Sequence, residues 1–288
     1  MYPARFEYYA PASLDEAFEI LERYGDEAKV LAGGQSLIPL MKLRFASPRA
    51  LVDINHLEGL DSIEQNGALS IGALVRHKDC ERSDALAGRY GVLGDAAPQI
   101  SDPIVRNRGT VVGSLTHADP QGDWGSALLA IGAHLEVASS GGSRTIPLDE
   151  LFQGPFTTSL QPNEIATSVQ VPDPGANAGG TYLKLERKVG DYATAGVAVH
   201  LSFDNGSVAR AGIALTGVGP RNFRAESAEA ALAGAELNDE TIKAAAELAA
   251  EAAQPRSDER GSADYKRSVV RVFTERGLRK AAETAQAS

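Results

Sequence analysis

Val30-Leu31-Ala32-Gly33-Gly34-Gln35-Ser36 decides how this chain is read, because an apolar, strand-like run ends there in two adjacent glycines before the chain resumes as Leu37-Ile38-Pro39-Leu40. Glycine at such a turn permits positive φ and lets ligand oxygens approach the backbone, which a Cβ would prevent. Taken alone, Gly33-Gly34 is a plain tight turn. Ser36 at the start of a short helix adds a hydroxyl at the positive end of a helix dipole, which favours an anion. A second stretch, Gly109-Thr110-Val111-Val112-Gly113-Ser114-Leu115, also follows an apolar run, and the two read as facing walls of one phosphate cradle. Neither has the G-x-G-x-x-G spacing of a dinucleotide fold or the Gly-Lys-Ser/Thr of a P-loop.

Outward from the first turn, Ser13-Leu14-Asp15-Glu16 reads as a capping box, and Leu14, Ala17, Phe18, Leu21 and Tyr24 recur at helical spacing until Gly25. Strands are expected at 28–32 and 50–54, giving a βαβ-like unit with the glycine turn at its strand end. Pro39 is tolerated in the first turn of the intervening helix. Beyond it lie an expected strand at 69–73, a helix over about 78–93, a loop at Ser101-Asp102-Pro103, a helix over 124–132, a hairpin turning at Ser140-Gly141-Gly142-Ser143 and a strand over 164–171. Prolines and glycines over 172–180 mark a linker. Strands at 182–187, 194–203 and 207–217 follow, the last two joined by Asp204-Asn205-Gly206, and helices over 225–233, 239–252 and 262–281 finish the chain. The expected domains are 1–175, with subdomains of about 1–57 and 58–175, and 176–288, a three-stranded antiparallel sheet plus helices. The fold class is α+β.

A chain of 288 residues, 43% hydrophobic, is long enough for one large or several small compact domains. Its charge of −10, from 28 basic and 38 acidic residues without a basic run, argues against nucleic acid as a partner. No run approaches the roughly 20 apolar residues of a membrane span, and the first residues lead into no signal-peptide core, so a cytoplasmic location is expected. Cys80 is the only cysteine, excluding an internal disulfide and an iron–sulfur cluster held by this chain's thiolates alone. The five histidines, His56, His77, His117, His134 and His200, lack metal-site spacing, and no metal is expected. No nucleophile–base pair stands out, so no catalytic residue is assigned.

Six motifs in order carry a resemblance: Ala-Gly-Gly-Gln-Ser-Leu from Ala32, Val52-Asp53-Ile54, Ile71-Gly72-Ala73, the run from Ile104 to Leu115, His117-Ala118-Asp119-Pro120, and Lys188-Val189-Gly190-Asp191-Tyr192-Ala193. Together they resemble the FAD-binding medium subunit of molybdenum hydroxylases, the xanthine dehydrogenase family, and most closely the aerobic carbon monoxide dehydrogenase branch. The resemblance implies an FAD-binding fold of the vanillyl-alcohol-oxidase type in two α+β subdomains, then a carbon monoxide dehydrogenase flavoprotein carboxy-terminal α+β domain. It places Ala32, Gly33, Gly34, Gln35 and Ser36 on one side of the FAD diphosphate and Thr110, Val111, Val112, Gly113 and Ser114 on the other. Asp123 is implied near the ribose, Ile165 on the adenine side, Lys184 near the flavin ring, Tyr192 at the isoalloxazine face, and Ile100 among the remaining cofactor contacts. Lys184 can also be an exposed strand lysine, and Tyr192 a half-buried core tyrosine. Where many relatives have Thr-Ile-Gly-Gly-Asn, this chain has Val112 and Ser114; a valine avoids positive φ, so a β-like backbone is expected at 112.

The implied partners are a small [2Fe-2S] subunit and a large subunit with a molybdopterin cofactor, in a dimer of heterotrimers that can lie peripherally at the inner face of the cell membrane. FAD is bound noncovalently and passes electrons to an external acceptor, a quinone on this reading. The overall reaction is oxidation of carbon monoxide with water to carbon dioxide, or hydroxylation of an N-heteroaromatic or aldehyde substrate. A self-sufficient flavin oxidase and a non-catalytic assembly module whose turns are purely structural remain the readings of other classes.

Overall fold

A computed structural model describes residues 2–287; Met1 and Ser288, at the ends of the expected domains, lie outside the described residues. The first layer is a parallel three-stranded sheet in the order Glu7–Tyr9, Ala50–Asp53, Ala28–Leu31. Against it packs the helix Leu14–Tyr24, which begins as its sequence requires: the Ser13 hydroxyl accepts from the Glu16 N–H. Ala17, Phe18, Ile20 and Leu21 form its buried stripe, so helical periodicity becomes core contact with the sheet. A five-stranded antiparallel sheet follows, in the order Ile63–Asn66, Ala68–Gly72, Ile165–Val171, His134–Ser139, Gly142–Pro147.

The last layer is an antiparallel sheet of Ala178–Leu185, Ala195–Asp204, Ser207–Thr216 and Phe223–Arg224. It has four strands where three are expected from sequence; the fourth is two residues long, too short for a period-2 pattern. Val197, Val199 and Leu201 face one core with the helices Asp239–Ala252 and Ala263–Ala287, while Ala198 and Ala214 face the other, beside the helix Asp123–Ile131. Burial on both faces explains why these strands read as continuous apolar runs. No described helix is long and apolar enough to cross a membrane.

Three further expectations change. The helix over 78–93 is instead His77–Glu81, two 3-10 turns and Gly91–Ala96, because the chain turns at Gly88 with φ +59°. The Ser101-Asp102-Pro103 loop is the capped start of a short helix, Pro103–Arg106, with Asp102 Oδ1 accepting from the Val105 N–H at 2.9 Å. Residues 178–180 belong to the strand Ala178–Leu185 rather than to a linker.

Candidate cofactor site

The first glycine turn leaves the end of the strand Ala28–Leu31, which pairs in parallel with Ala50–Asp53, and enters the helix Leu37–Lys42. Gly34 has φ +73°, so the turn uses the freedom glycine provides. The backbone N–H groups of Gly33, Gly34, Gln35 and Ser36 donate to no protein acceptor among the described residues. Ser36 is expected to cap the helix but does not: at φ −103°, ψ −50° it is already helical, whereas a capping residue is extended, and its hydroxyl makes no cap bond. These residues are half-buried, and four neighbouring N–H groups left without a protein acceptor on a single turn form a place where an anionic acceptor can bind. Beside them is a cavity of about 370 Å³, lined by Leu31 to Gln35 together with Lys42, Asp53, Asn55 and Arg108.

The second wall is the start of a helix. Thr110, at φ −119° and ψ 150°, is its extended N-cap and accepts from the Gly113 N–H at 3.2 Å; Val111–His117 follows in helical conformation. The β-like backbone expected at Val112 is therefore corrected. Thr110 supplies the extended residue, and Val112 takes a helical one while its side chain enters the core. Val111 and Gly113 have given their N–H groups to Val75 O and Thr110 Oγ1, and those of Thr110 and Val112 find no protein acceptor among the described residues. The first wall is thus the richer in free donors. The two walls meet at Gly33 and Gly109.

Behind the second wall, the His77 N–H donates to Gly109 O at 3.0 Å and its Nδ1 accepts from Trp124 Nε1 at 3.0 Å. Burial first, then the Arg106 and Arg76 charges, push the His77 pKa down to about 4, so the ring is neutral and can accept that bond. Asp53 sits between opposing influences: burial, the largest, pushes its carboxyl up, and hydrogen bonds from Tyr8 and Asn55 outweigh it, leaving the pKa below its ordinary value.

Asp123 and Lys184 come together, but as each other's partners. Asp123, at the buried start of the helix Asp123–Ile131, accepts from Tyr182 Oη at 2.6 Å and Lys184 Nζ at 3.0 Å. Burial pushes its carboxyl up, opposed by Lys184 and Tyr182. Lys184 also donates to Gln99 O at 2.8 Å, lies 3.4 Å from Glu186, and has a side chain only 1% exposed, so it is no exposed strand lysine. Tyr192 is 53% exposed, with its backbone N–H fixed on Asp191 Oδ1, which leaves the ring face accessible. Ile100 and Ile165 are core residues; Ile165 pairs with Ala138 within the five-stranded sheet. Cys80 is buried and its thiol is pushed up to about 12.

Sequence reasoning missed Asn55, Arg76 and Arg108. Asn55 Nδ2 donates to Ala32 O at 2.8 Å, and Arg76 bonds both Asn55 and the Arg108 carbonyl. The only local signal was Asn55 standing two residues after Asp53, a spacing that suits an Asx-type bond; Asn55 N–H does donate to Asp53 Oδ1, at 2.9 Å.

Residues 4–174 match the family model described as the FAD binding domain in molybdopterin dehydrogenase, and residues 180–281 match the CO dehydrogenase flavoprotein C-terminal domain. The chain belongs to the FAD-binding medium subunits of molybdenum hydroxylases. It is 41% identical to the carbon monoxide dehydrogenase medium chain of Hydrogenophaga pseudoflava over 279 residues, covering 96% of this chain and 97% of that one. The 6-hydroxypseudooxynicotine dehydrogenase complex subunit alpha of Paenarthrobacter nicotinovorans is 38% identical over 288 residues, 99% and 97% of the two chains. Among solved structures, a carbon monoxide dehydrogenase from Hydrogenophaga pseudoflava that lacks the Mo-pyranopterin moiety superposes with a TM-score of 0.94 at 43% identity, covering 99% of each chain. The α+β fold with an FAD-binding and a flavoprotein C-terminal domain is thereby the one the sequence implied, and medium subunits of this family are parts of oxidoreductase complexes.

Proposed function

We propose that this chain holds FAD noncovalently as the electron-output subunit of a three-subunit molybdenum hydroxylase, with the diphosphate on the donor row of Gly33 to Ser36. That row, four N–H groups and a hydroxyl without a protein partner among the described residues, beside a cavity, is the observation that carries the reading. A diphosphate is acceptor-only and anionic, which suits the N–H donors and the two cations, Lys42 and Arg108, that line the cavity with one carboxylate, Asp53, itself held by Tyr8 and Asn55. Ala32 contributes the backbone leading into the row, and Thr110 to Ser114 form the opposite wall. When bound, FAD supplies the exchange between one-electron [2Fe-2S] donors in a small subunit and an external acceptor, a quinone on this reading.

The remaining residues organise the site. Tyr192, exposed on the loop of the C-terminal domain, offers an aromatic face to a flavin ring. Asp123 and Lys184 join the helix Asp123–Ile131 to the C-terminal sheet; ribose and flavin-edge contacts are assigned to them on the family pattern, as are the backbones of Ile100 and Ile165. Substrate chemistry belongs to the molybdenum centre of the large subunit. Carbon monoxide is the first reading, CO plus water giving CO₂, two protons and two electrons, because of the 41% identity to a carbon monoxide dehydrogenase chain. The 38% identity to a 6-hydroxypseudooxynicotine dehydrogenase subunit and the 37% identity to a glyceraldehyde dehydrogenase medium chain favour an N-heteroaromatic or aldehyde hydroxylase as the second. On this reading the holoenzyme is a cytoplasmic dimer of heterotrimers that can lie peripherally at the membrane's inner face.

Purification of the complex tests the reading. Large and small chains copurifying with this one, and reduction of its flavin by carbon monoxide but not by N-heteroaromatics, support it. Flavin reduction of the isolated chain by a small organic substrate favours a self-sufficient oxidase instead.

A further inference from the structure

The two walls are joined by more than contact. Arg76, on the loop after the strand Ala68–Gly72, donates through one guanidinium nitrogen to the Arg108 carbonyl at 2.7 Å, immediately before Gly109 of the second wall. Its other terminal nitrogen donates to Asn55 Oδ1 at 2.5 Å. The Asn55 amide then donates to the Ala32 carbonyl at 2.8 Å, immediately before Gly33 of the first wall, and to Asp53 Oδ1 at 2.6 Å. Asp53 is held in turn by Tyr8, whose hydroxyl donates to Oδ2 at 2.7 Å. The amide has one workable orientation, since its NH₂ faces two acceptors and its oxygen faces a guanidinium.

We propose that Arg76 and Asn55 form a clasp that fixes the spacing of the two glycine walls, and that Arg76 is a positioning residue for the FAD diphosphate. The inference rests on the reading of the cavity as the FAD site. Ala32 and Arg108 each precede a wall glycine by one residue, so the clasp grips the backbone next to the cradle without using the free N–H row. A planar guanidinium reaches a carbonyl and an amide oxygen together in a fixed fork; a lysine ammonium at the end of a flexible stem has no such fork. Sites held through supporting hydrogen bonds lose affinity when those partners are removed, even where the partners do not touch the ligand.

The test is a double-mutant cycle on the full chain, stripped of flavin and titrated with FAD, with apoprotein melting measured in parallel. Arg76→Ala is expected to raise the FAD Kd about 10- to 100-fold, as loss of a supporting partner does elsewhere, and Asn55→Ala, whose side chain also lines the cavity, at least as much. The double variant is expected to be no weaker than the worse single one, because both break the same link, and Arg76→Lys is not expected to restore binding. Additive losses, wild-type affinity in Arg76→Lys, or lowered melting with an unchanged Kd would each overturn the clasp. If Arg76→Ala does not fold, Arg76→Gln replaces it in the cycle. Wild-type chain that fails to rebind FAD overturns the cofactor reading itself, and the clasp with it; wild-type binding with unaffected variants overturns the clasp alone.

Discussion

Gly33 and Gly109 meet backbone to backbone: a Cβ on Gly33 would lie 2.7 Å from the Gly109 Cα and 2.5 Å from the Arg108 carbonyl oxygen. Glycine at 33 is therefore required by the opposite wall as well as by any ligand. Backbone atoms cannot swing aside as a flexible side chain can, so even one methyl group forces the walls apart. Overpacking of this kind costs about 1–3 kcal/mol, and Gly33→Ala is expected to weaken FAD retention about tenfold or more. Flavin content per folded chain is the readout; an unchanged value would show that the walls can separate without consequence.

Gly113→Val should act through the cap of the second wall. A Cβ there would lie 2.5 Å from Thr110 Oγ1, the atom that accepts from the Gly113 N–H. Rotating that hydroxyl away abandons the cap, a loss of about 1 kcal/mol, and the variant should melt earlier and hold FAD less tightly. Melting and flavin content unchanged together would contradict the cap's role.

Lys184→Met should destabilise the chain strongly. It leaves the buried Asp123 carboxylate with Tyr182 but without its cation, and breaking a buried pair from one side typically costs about 3–5 kcal/mol. Pairing it with Asp123→Asn should recover much of the loss, which a denaturant titration of the three variants would show. A single variant as stable as wild type would place the pair outside the domain contact.

Tyr192→Ala is expected to change stability by less than about 0.5 kcal/mol, as for exposed positions elsewhere, while altering reoxidation of the bound flavin by the acceptor. Stopped-flow reoxidation kinetics indistinguishable from wild type would make Tyr192 a surface residue with no part in the site.

The pH dependence follows from two buried histidines. Burial pushes His77 and His200 down to about 4, so between the ordinary histidine range and pH 4 the unfolded chain binds protons that the folded chain does not. Stability should thus be full above about pH 6.5 and fall as the pH drops toward 4. His77→Gln should flatten that dependence; a slope identical to wild type would mean that His77 is not held neutral by the fold.

Much of this architecture was legible because local chemistry and tertiary role agree. Asn205 and Gly206, at φ +49° and +84°, form the two-residue hairpin turn their identities announce, and Ser13 caps its helix. Gly179 was misread as linker because glycine has two uses that look alike in sequence. Here it lets the helix Ala263–Ala287 approach, a Cβ meeting the Ala281 carbonyl at 2.5 Å. The donor row at Gly33 to Ser36 was visible in the glycines, whereas Gly113 and the β-branched Val111 and Val112, all poor helix formers, hid the helix that starts after Thr110. Arg76 was invisible, since its partners lie 21 and 32 residues away and no periodicity connects them.

The most direct measurement is the visible absorption spectrum of the purified chain, followed by identification of any chromophore released on mild denaturation. A yellow protein that releases FAD in stoichiometric amount, with nothing left covalently attached, is the predicted result. A colourless chain that cannot be reconstituted with FAD would contradict the account and return the two glycine walls to a structural role.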